Sequence, residues 1–424
     1  MKKNLIRTMS LLLVICLLFL SGCEKATEES AKTPEEFWAR THEWNSEQLM
    51  YSNANEYGYY FLNENNLIYF DYATKKSVIL FNKVGCKHDD IYCEAYIQGS
   101  PFLFFRGEKM YLITSKDDGV HIFQCDLDGT NRESKILLMK DEMEKGNAVS
   151  IVTFFLSEDE VYYTAAYQEP DDGNEKKDPI KAVRLLDLNT WTEQEICRSV
   201  ENAFSVIASE KEGALILEQT DPSLKTEVDW DKLSEEEKKN GVKLLTKEQM
   251  KKMPLNLFYW HKSTGDKLTV YESNFGETEI TPYVSGSWLY RLGVPSGAEY
   301  MGLERMDMRT GQSEWLWKEK AGPGSMIVKC SKMNGAIYLT AANPDMEFWE
   351  EIYTFDGFQQ VVLPSLGMHD SIVFEDDHGY VAWKTIEYRP NNPSGDIVDY
   401  IFIPRAEAGK ANPEYTVLCS YGLN

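Results

Sequence analysis

The chain has 424 residues, of which 68 are acidic and 44 are basic, so its formal net charge at pH 7 is −24. A protein this negative repels the phosphates of nucleic acids, so a nucleic-acid-binding function is disfavoured and no nucleic-acid partner is expected. A cationic ligand, a metal ion or a basic partner remains compatible with the charge.

The N-terminus has the features of an export signal. Residues Met1–Arg7 are basic, and Met9–Leu20 form an apolar run that is too short to cross a bilayer comfortably. The run ends in Leu20-Ser21-Gly22-Cys23, which resembles the lipobox of bacterial lipoproteins. The resemblance implies a signal peptide over residues 1–22 and a diacylated Cys23 that anchors the protein on the extracytoplasmic face of the cell membrane. The alternative is an ordinary secretory signal in which Cys23 has no role.

The segment after the signal is polar. Residues 23–36 carry many charges and no apolar periodicity, which predicts a flexible tether. Thr33 followed by Pro34 and two acids is typical of a helix N-terminus. We expect a short helix through Phe37 and Trp38, packed on a single domain that occupies residues 37–424.

One short phrase recurs seven times along that domain. A polar turn, usually with Gly or an acid, precedes an apolar and often Tyr-bearing strand. The first apolar residues of these strands are Tyr59, Met110, Val161, Ala214, Trp288, Ala336 and Tyr380. The period is near 50 residues and stretches to 74 once, between Ala214 and Trp288.

A period near 50 with several short strands in each unit is typical of a β-propeller. The sequence therefore predicts an all-β fold of seven four-stranded blades, whose strands we name a to d within each blade. Six blades is the alternative, because the first strand of the first unit, around Leu49–Ser52, is weak.

A cysteine- and histidine-containing stretch, Gly85–Tyr96, follows the last strand of the first unit. It resembles a motif of uncharacterised clostridial-type lipoproteins that contain TolB-like or YWTD-like propellers. The matching residues are Cys86, His88, Cys93, Ala95 and Tyr96, and Phe81 stands where the family has a further Cys.

Three Cys and one His would form a tetrahedral zinc site, and the missing Cys leaves that site incomplete. The favoured interpretation is a disulfide between Cys86 and Cys93. A metal site made of Cys86, His88 and Cys93, or free thiols, are the alternatives, and no cofactor is expected. Four further cysteines in predicted strands, Cys125, Cys197, Cys330 and Cys419, are expected to be buried free thiols.

Four units carry additional residues between strands b and c. These stretches are Glu169–Pro179, Thr220–Pro254, Asn343–Phe348 and Tyr388–Ile397. All b–c connections of a propeller emerge on one face, so this distribution predicts a binding face, with neutral drift of surface loops as the alternative. The longest stretch, residues 220–254, has the capping signals of two short helices and is predicted to be a small helical insertion.

No catalytic motif was found, so no catalytic residue is predicted and an enzymatic function is left open. Acidic pairs such as Asp171-Asp172, Asp376-Asp377 and Glu350-Glu351 have the chemistry of an acid and a base, but solvated charge is the simpler explanation. We expect a membrane-anchored, extracytoplasmic binding or interaction module for a cell-envelope protein or glycan. The alternative is a propeller hydrolase or lyase that acts on extracellular polysaccharide or peptide.

Overall fold

The computed structural model describes residues 31–45, 49–63, 65–80, 96–97, 101–170, 178–220, 253–274, 283–293, 300–320, 326–333, 336–342, 348–354, 357–358, 370–387 and 397–421. These residues form 28 strands in seven four-stranded antiparallel sheets. Each sheet consists of four strands that are consecutive in the chain and hydrogen bonded in the order a, b, c, d. The fold is therefore an all-β propeller with seven blades, as the repeat predicts.

The strands of the first four blades are β1 (Asn53–Ala54), β2 (Gly58–Asn63), β3 (Asn66–Asp71) and β4 (Lys76–Ile79); β5 (Phe102–Arg106), β6 (Lys109–Lys116), β7 (Gly119–Asp126) and β8 (Glu133–Leu137); β9 (Ala148–Ser157), β10 (Glu160–Gln168), β11 (Ile180–Asp187) and β12 (Thr192–Ser199); and β13 (Asn202–Glu210), β14 (Gly213–Thr220), β15 (Pro254–His261) and β16 (Lys267–Asn274).

The strands of the last three blades are β17 (Tyr283–Ser285), β18 (Trp288–Gly293), β19 (Tyr300–Asp307) and β20 (Gln312–Lys320); β21 (Met326–Met333), β22 (Ala336–Ala342), β23 (Phe348–Thr354) and β24 (Gly357–Phe358); and β25 (Ser371–Glu375), β26 (Gly379–Glu387), β27 (Ile397–Pro404) and β28 (Thr416–Tyr421). Helix α1 is Pro34–Trp38, helix α2 is Lys140–Met143, and a 3-10 turn covers Arg405–Glu407.

Among the described residues, apolar packing joins neighbouring blades at five junctions, including that of the last blade with the first. Apolar clusters lie between blades 1 and 2, 2 and 3, 3 and 4, 4 and 5, and 7 and 1. At the junction of blades 7 and 1, the hydroxyl oxygens of Tyr59 and Tyr400 are 2.6 Å apart, and the Tyr421 hydroxyl donates to the carbonyl of Leu62 at 2.9 Å. Packing of whole sheets thus closes the ring, since no blade combines strands from both ends of the chain.

Three of the seven recurring phrases place a glycine where a side chain would clash. Gly58, Gly213 and Gly379 are the first residues of strand b in blades 1, 4 and 7. A Cβ at any of them would overlap a main-chain carbonyl oxygen of the adjacent strand c, and an aromatic side chain of that strand covers the same spot. Only glycine lets the two strands approach this closely as they leave the a–b turn.

The outer strand d of five blades contains a β-bulge. In five blades, strand d has one extra residue that faces no partner on strand c: Lys135, Ile196, Val270, Leu316 and Leu418. Such a bulge increases the local twist and leaves the extra residue out of the hydrogen-bond ladder.

One predicted strand position was wrong. Leu49–Ser52 do not form strand a of blade 1, because Leu49 and Met50 pair with blades 3 and 2 and strand a is the two-residue β1. In blade 6 the described part of strand d is Gly357–Phe358, which pairs with β23.

Helix α1 begins where the sequence predicts. The Thr33 side chain accepts from the backbone N–H of Glu36 at 3.2 Å, Pro34 is the first helical residue, and Phe37 and Trp38 are buried. Residues 34–36, which were predicted to belong to the tether, are thus part of a docked helix. Among the described residues, no helix has the length and apolarity that crossing a bilayer requires.

Candidate functional site

The meander of each blade gives the ring two different faces. The a–b and c–d turns lie at one end of the strands, and the b–c connections lie at the other. We call the side with the a–b and c–d turns the turn face, and the side with the b–c connections the insertion face. Strand d also ends, and the next strand a begins, at the insertion-face end of the strands.

The four site residues predicted from the sequence, Cys23, Cys86, His88 and Cys93, lie outside the described residues. Lipidation of Cys23, the Cys86–Cys93 disulfide and the three-ligand metal site therefore stay predictions. Within the described part of the chain, no group of three or more His, Cys, Asp or Glu side chains is placed to hold a metal ion.

The connection that carries the Cys86–Cys93 stretch returns to the ring at the insertion face. Tyr96 forms an isolated bridge with Asn66, and the N–H of Ile97 donates to the carbonyl of Asn65 at 2.7 Å. Asn65 directly precedes strand c of blade 1 and Asn66 is its first residue, so this connection ends beside a b–c turn.

The long b–c connections also belong to the insertion face. They join β10 to β11, β14 to β15, β22 to β23 and β26 to β27. Thr220 and Pro254, which bound the predicted helical insertion, are themselves strand residues, so the insertion proper is residues 221–253. The two predicted helices fall outside the described residues.

On the turn face, polar contacts join neighbouring blades. Arg106 of blade 2 donates to Asp159 of blade 3 at 2.6 Å and to the carbonyl of Leu188 at 3.0 Å. The ammonium of Lys262 in blade 4 pairs with Glu160 of blade 3. We call these contacts, together with that between Tyr72 of blade 1 and Asp376 of blade 7, the blade latches.

Asp376 illustrates how a predicted acidic pair is used. Its carboxylate accepts from the Tyr72 hydroxyl and from the backbone N–H groups of His378 and Gly379, the latter two at 2.8 and 3.0 Å. The imidazole of His378 stacks on Tyr72, with ring centroids 4.3 Å apart. Asp376 therefore shapes the a–b turn and closes the ring, and its geometry gives no support for an acid–base role with Asp377. Asp171-Asp172 and the side chains of Glu350-Glu351 lie outside the described part.

The N-terminal segment crosses the turn-face half of the ring. Residues 33–45 and 49–52, which we call the strap, lie against blades 4 and 5 first and then against the inner strands of blades 4, 3 and 2. Asn45 exchanges both backbone hydrogen bonds with Ser209 of β13, at 2.7 and 2.6 Å. Leu49 donates to Phe154 of β9 at 2.9 Å, and Met50 accepts from Leu103 of β5 at 3.0 Å. The strap thus covers part of the inner strand edges, which would otherwise be unpaired.

Aromatic side chains hold the start of the strap between blades 4 and 5. The Trp38 indole donates to the carbonyl of Val270 at 3.0 Å, and the Trp44 indole donates to Gly286 in the a–b turn of blade 5 at 2.8 Å. Val270 is the bulged residue of β16, so its carbonyl does not serve the sheet ladder and is available to the indole.

His42 connects the strap to the a–b turn of blade 4. Nδ1 lies 3.1 Å from Oε2 of Glu210, and Nε2 lies 2.9 Å from the carbonyl oxygen of Phe37. The imidazole stacks on Trp44, with centroids 4.7 Å apart and an interplanar angle of 11°. Both ring nitrogens face oxygen acceptors, so a complete set of hydrogen bonds requires a proton on each nitrogen or a proton on the Glu210 carboxyl.

Two titrating groups, Glu193 and Arg184, make buried contacts near the junction of blades 2 and 3. Burial raises the pKa of Glu193, whose carboxyl accepts from the hydroxyl of Tyr163 and the N–H of Met139 between blades 2 and 3. Nearby, Arg184 is almost fully buried and makes a bidentate contact with Asp141 at 2.8 and 2.9 Å. These contacts lie inside the protein, at the packed junction of blades 2 and 3.

The described thiols are not nucleophiles. Cys125 and Cys197 are buried free thiols, as expected, and Cys419 is half-buried. Burial raises the pKa of the Cys125 thiol to about 11 and that of Cys197 to about 12, so both are protonated at neutral pH. The side chain of Cys330 lies outside the described part.

Sequence reasoning missed the strap and its contacts. Glu210 is 168 residues from His42 in the chain, and the pairing partners of Leu49 and Met50 lie in two different blades. The only local signal was the weakness of Leu49–Ser52 as a strand of blade 1.

No protein-family model and no curated protein matches this sequence. The fold is similar to that of a puromycin-hydrolysing peptidase from Mycobacterium tuberculosis, with a TM-score of 0.52 and 8% identity over 93% of this chain and 56% of the peptidase. It is also similar to an acylaminoacyl peptidase in complex with a Z-Gly-Gly-Phe-chloromethyl ketone, with a TM-score of 0.50 and 10% identity over 92% of this chain and 54% of that one.

The chain thus spans about half the length of the solved peptidases that it matches. At these identities the likeness concerns the fold alone. On this evidence the chain is a seven-bladed propeller that shares its architecture with part of each of these peptidases.

Proposed function

We propose that this protein is a membrane-anchored, extracytoplasmic binding module that holds a cell-envelope protein or glycan on its insertion face. The observation that carries the proposal is the unequal use of the two faces. The turn face carries the blade latches and the strap, whereas the long connections between strands b and c belong to the opposite face.

The contacts on the turn face leave it little freedom to adapt to a ligand. Arg106, Lys262 and Tyr72 each bridge two blades there, so a ligand that displaced one of them would also weaken the ring. Connections that do not hold blades together can change in length and sequence at low cost, and binding residues are often found on such loops. The insertion face is therefore the better candidate for recognition.

Membrane attachment is the second part of the proposal. It is supported by the basic N-terminus, the short apolar run and the lipobox-like Leu20–Cys23. Two acyl chains on Cys23 are enough for stable anchoring. The resemblance of the Cys86–Tyr96 stretch to a motif of clostridial-type lipoproteins supports the same location.

The binding part is tested by replacing residues 222–251 with a short Gly-Ser linker, which spares strands β14 and β15 and the buried Met253. The replaced and wild-type proteins are incubated with cell-wall glycan fragments and with solubilised envelope proteins, and bound species are quantified after chemical cross-linking. We expect one or more bound species to be lost. A Glu108→Ala variant in an exposed turn of the turn face is the matched control and should bind as the wild type does. Equal binding by all three proteins would contradict the proposal.

A propeller hydrolase or lyase that acts on extracellular peptide or polysaccharide is the second candidate. The similarity in fold to part of two peptidases favours it. The direct test is incubation of the purified protein with a mixed peptide library and with envelope polysaccharides, followed by mass spectrometry. New cleavage products that disappear after linker replacement of residues 222–251 would favour this candidate over simple binding.

A further inference from the structure

The strap determines where the membrane anchor leaves the domain. Trp38 binds the first half of β16, next to the c–d turn of blade 4, and His42 contacts Glu210 at the end of β13. Trp44 reaches the a–b turn of blade 5 through Gly286. All three contacts lie in the turn-face half of the ring, at the groove between blades 4 and 5. The chain before Thr33 therefore starts from that half.

The chain between this point and the proposed lipid is short. Ten peptide units separate Cys23 from Thr33. Whatever path they follow, they span at most about 36 Å, and a flexible chain of this length has an r.m.s. reach of about 17 Å. An eight-residue strand such as β6, which separates the two faces, is about 27 Å long. The r.m.s. reach is shorter than the strand, so the tether disfavours placing the insertion face against the bilayer.

We propose that the propeller is held with its turn face, at blades 4 and 5, towards the lipid surface and with its insertion face directed away from it. This inference rests on the proposed lipidation of Cys23. It extends the proposed function, because it means that partners approach the insertion face from the side remote from the anchoring membrane. The connection that carries Cys86, His88 and Cys93 ends beside the b–c turn of blade 1, so its return to the ring lies on that outward side.

Two positions on one blade provide a matched test. Glu108 and Asp117 are both exposed, and they lie at opposite ends of β6, in the a–b and b–c turns of blade 2. A fluorescent amino acid is encoded at one position or the other in the full chain. The lipidated protein is reconstituted in phosphatidylethanolamine and phosphatidylglycerol vesicles whose headgroups carry an acceptor dye. We expect energy transfer to the headgroups to be severalfold more efficient from position 108 than from position 117.

Flotation with the vesicles reports on the anchor separately. Wild-type protein should float and a Cys23→Ala variant should not. A second outcome is that the wild type floats while energy transfer from position 117 equals or exceeds that from position 108. In that case the proposed orientation is wrong, whereas anchoring through Cys23 is still supported. If the wild type does not float, or the Cys23→Ala variant floats equally well, the protein is not anchored through Cys23. The proposed orientation, which depends on that anchor, is then wrong as well.

A longer tether tests the physical cause. Insertion of about 40 Gly and Ser residues after Glu24 raises the r.m.s. reach of the tether to about 40 Å. The difference between positions 108 and 117 should then shrink, while flotation is retained. A difference that persists unchanged with the long tether would show that the length of the chain between Cys23 and Thr33 does not orient the propeller.

Discussion

The imidazole of His42 lies 3.1 Å from the carboxylate of Glu210, although the two residues are 168 positions apart in the chain. This contact joins the strap to the a–b turn of blade 4. The side chain of His42 is almost fully buried, and that of Glu210 is 17% exposed, so water is a poor substitute for either partner. The contact therefore couples the position of the N-terminal segment to the integrity of the ring.

Replacing His42 by alanine should lower the free energy of unfolding by about 1–3 kcal/mol, because it removes a stacked ring and deprives the Glu210 carboxyl and the Phe37 carbonyl of a hydrogen-bond partner. Urea unfolding followed by tryptophan fluorescence measures the change. His121→Ala is the matched control, since His121 also makes two side-chain hydrogen bonds, but both are to residues of its own blade. A loss in the control as large as that in His42→Ala would contradict a special role of the strap contact.

Replacing Gly213 by alanine should destabilise the protein by about 1–3 kcal/mol or more, because the new Cβ would overlap the carbonyl oxygen of Trp260 and force strands b and c apart. Gly107→Ala is the comparison, because Gly107 has φ +59° with nothing within 4 Å of the added carbon. The Gly107→Ala substitution should cost only about 1 kcal/mol, which is the energy needed to hold an alanine in the left-handed backbone conformation. Thermal unfolding of both variants shows which substitution destabilises the protein more. A smaller loss of stability in Gly213→Ala than in Gly107→Ala would refute the steric explanation of the glycine at the start of strand b.

The hydroxyl pair of Tyr59 and Tyr400 should contribute to ring closure. A double-mutant cycle with Tyr59→Phe and Tyr400→Phe should give a coupling energy of about 1 kcal/mol in chemical unfolding, because the hydroxyls are 2.6 Å apart in the buried junction of blades 7 and 1. Additive effects of the two substitutions would show that the hydroxyls do not stabilise each other.

The buried carboxyl of Glu193 should make stability depend on pH in a defined direction. Burial raises its pKa above the ordinary value of 4.5, so the folded protein retains this proton at pH values where the unfolded chain has lost it. The contribution of Glu193 to the free energy of unfolding therefore falls as pH rises from about 4.5 through the raised pKa of this carboxyl. A Glu193→Gln variant lacks this dependence.

The measurement for Glu193 is the difference in unfolding free energy, wild type minus Glu193→Gln, at a series of pH values. It should be constant at acidic pH and should decrease above about pH 4.5, because only the wild type has to bury a charge there. Contributions of titrating groups that do not interact with Glu193 cancel in the difference. A difference that increases with pH would mean that the folded protein stabilises the carboxylate.

Some parts of the fold could be predicted from the sequence because their signals are local. The turn-and-strand phrase reports a contact between strands b and c of the same blade, and the Thr33-Pro34 pair reports a helix start within four residues. The strap could not be predicted in the same way. Leu49 and Met50 are apolar residues of unremarkable pattern, and their partners, Phe154 and Leu103, are set by the closing of the ring rather than by neighbouring residues.

The candidate site likewise has one part that could be predicted from the sequence and one part that could not. The clustering of the long connections on one face could be inferred from strand order alone, because an antiparallel meander places every b–c connection at the same end of its blade. The contacts that join blades on the turn face could not be inferred from strand order. They involve pairs such as Arg106 and Asp159, which belong to different blades.

The most direct test of the division between the two faces is photo-cross-linking in intact cells of the source organism. A photoreactive amino acid is placed at Asp117 on the insertion face or at Glu108 on the turn face, at the two ends of the same strand. We expect adducts with an envelope protein or with cell-wall glycan from position 117 and few or none from position 108. Adducts from position 108 in the absence of adducts from position 117 would contradict this expectation.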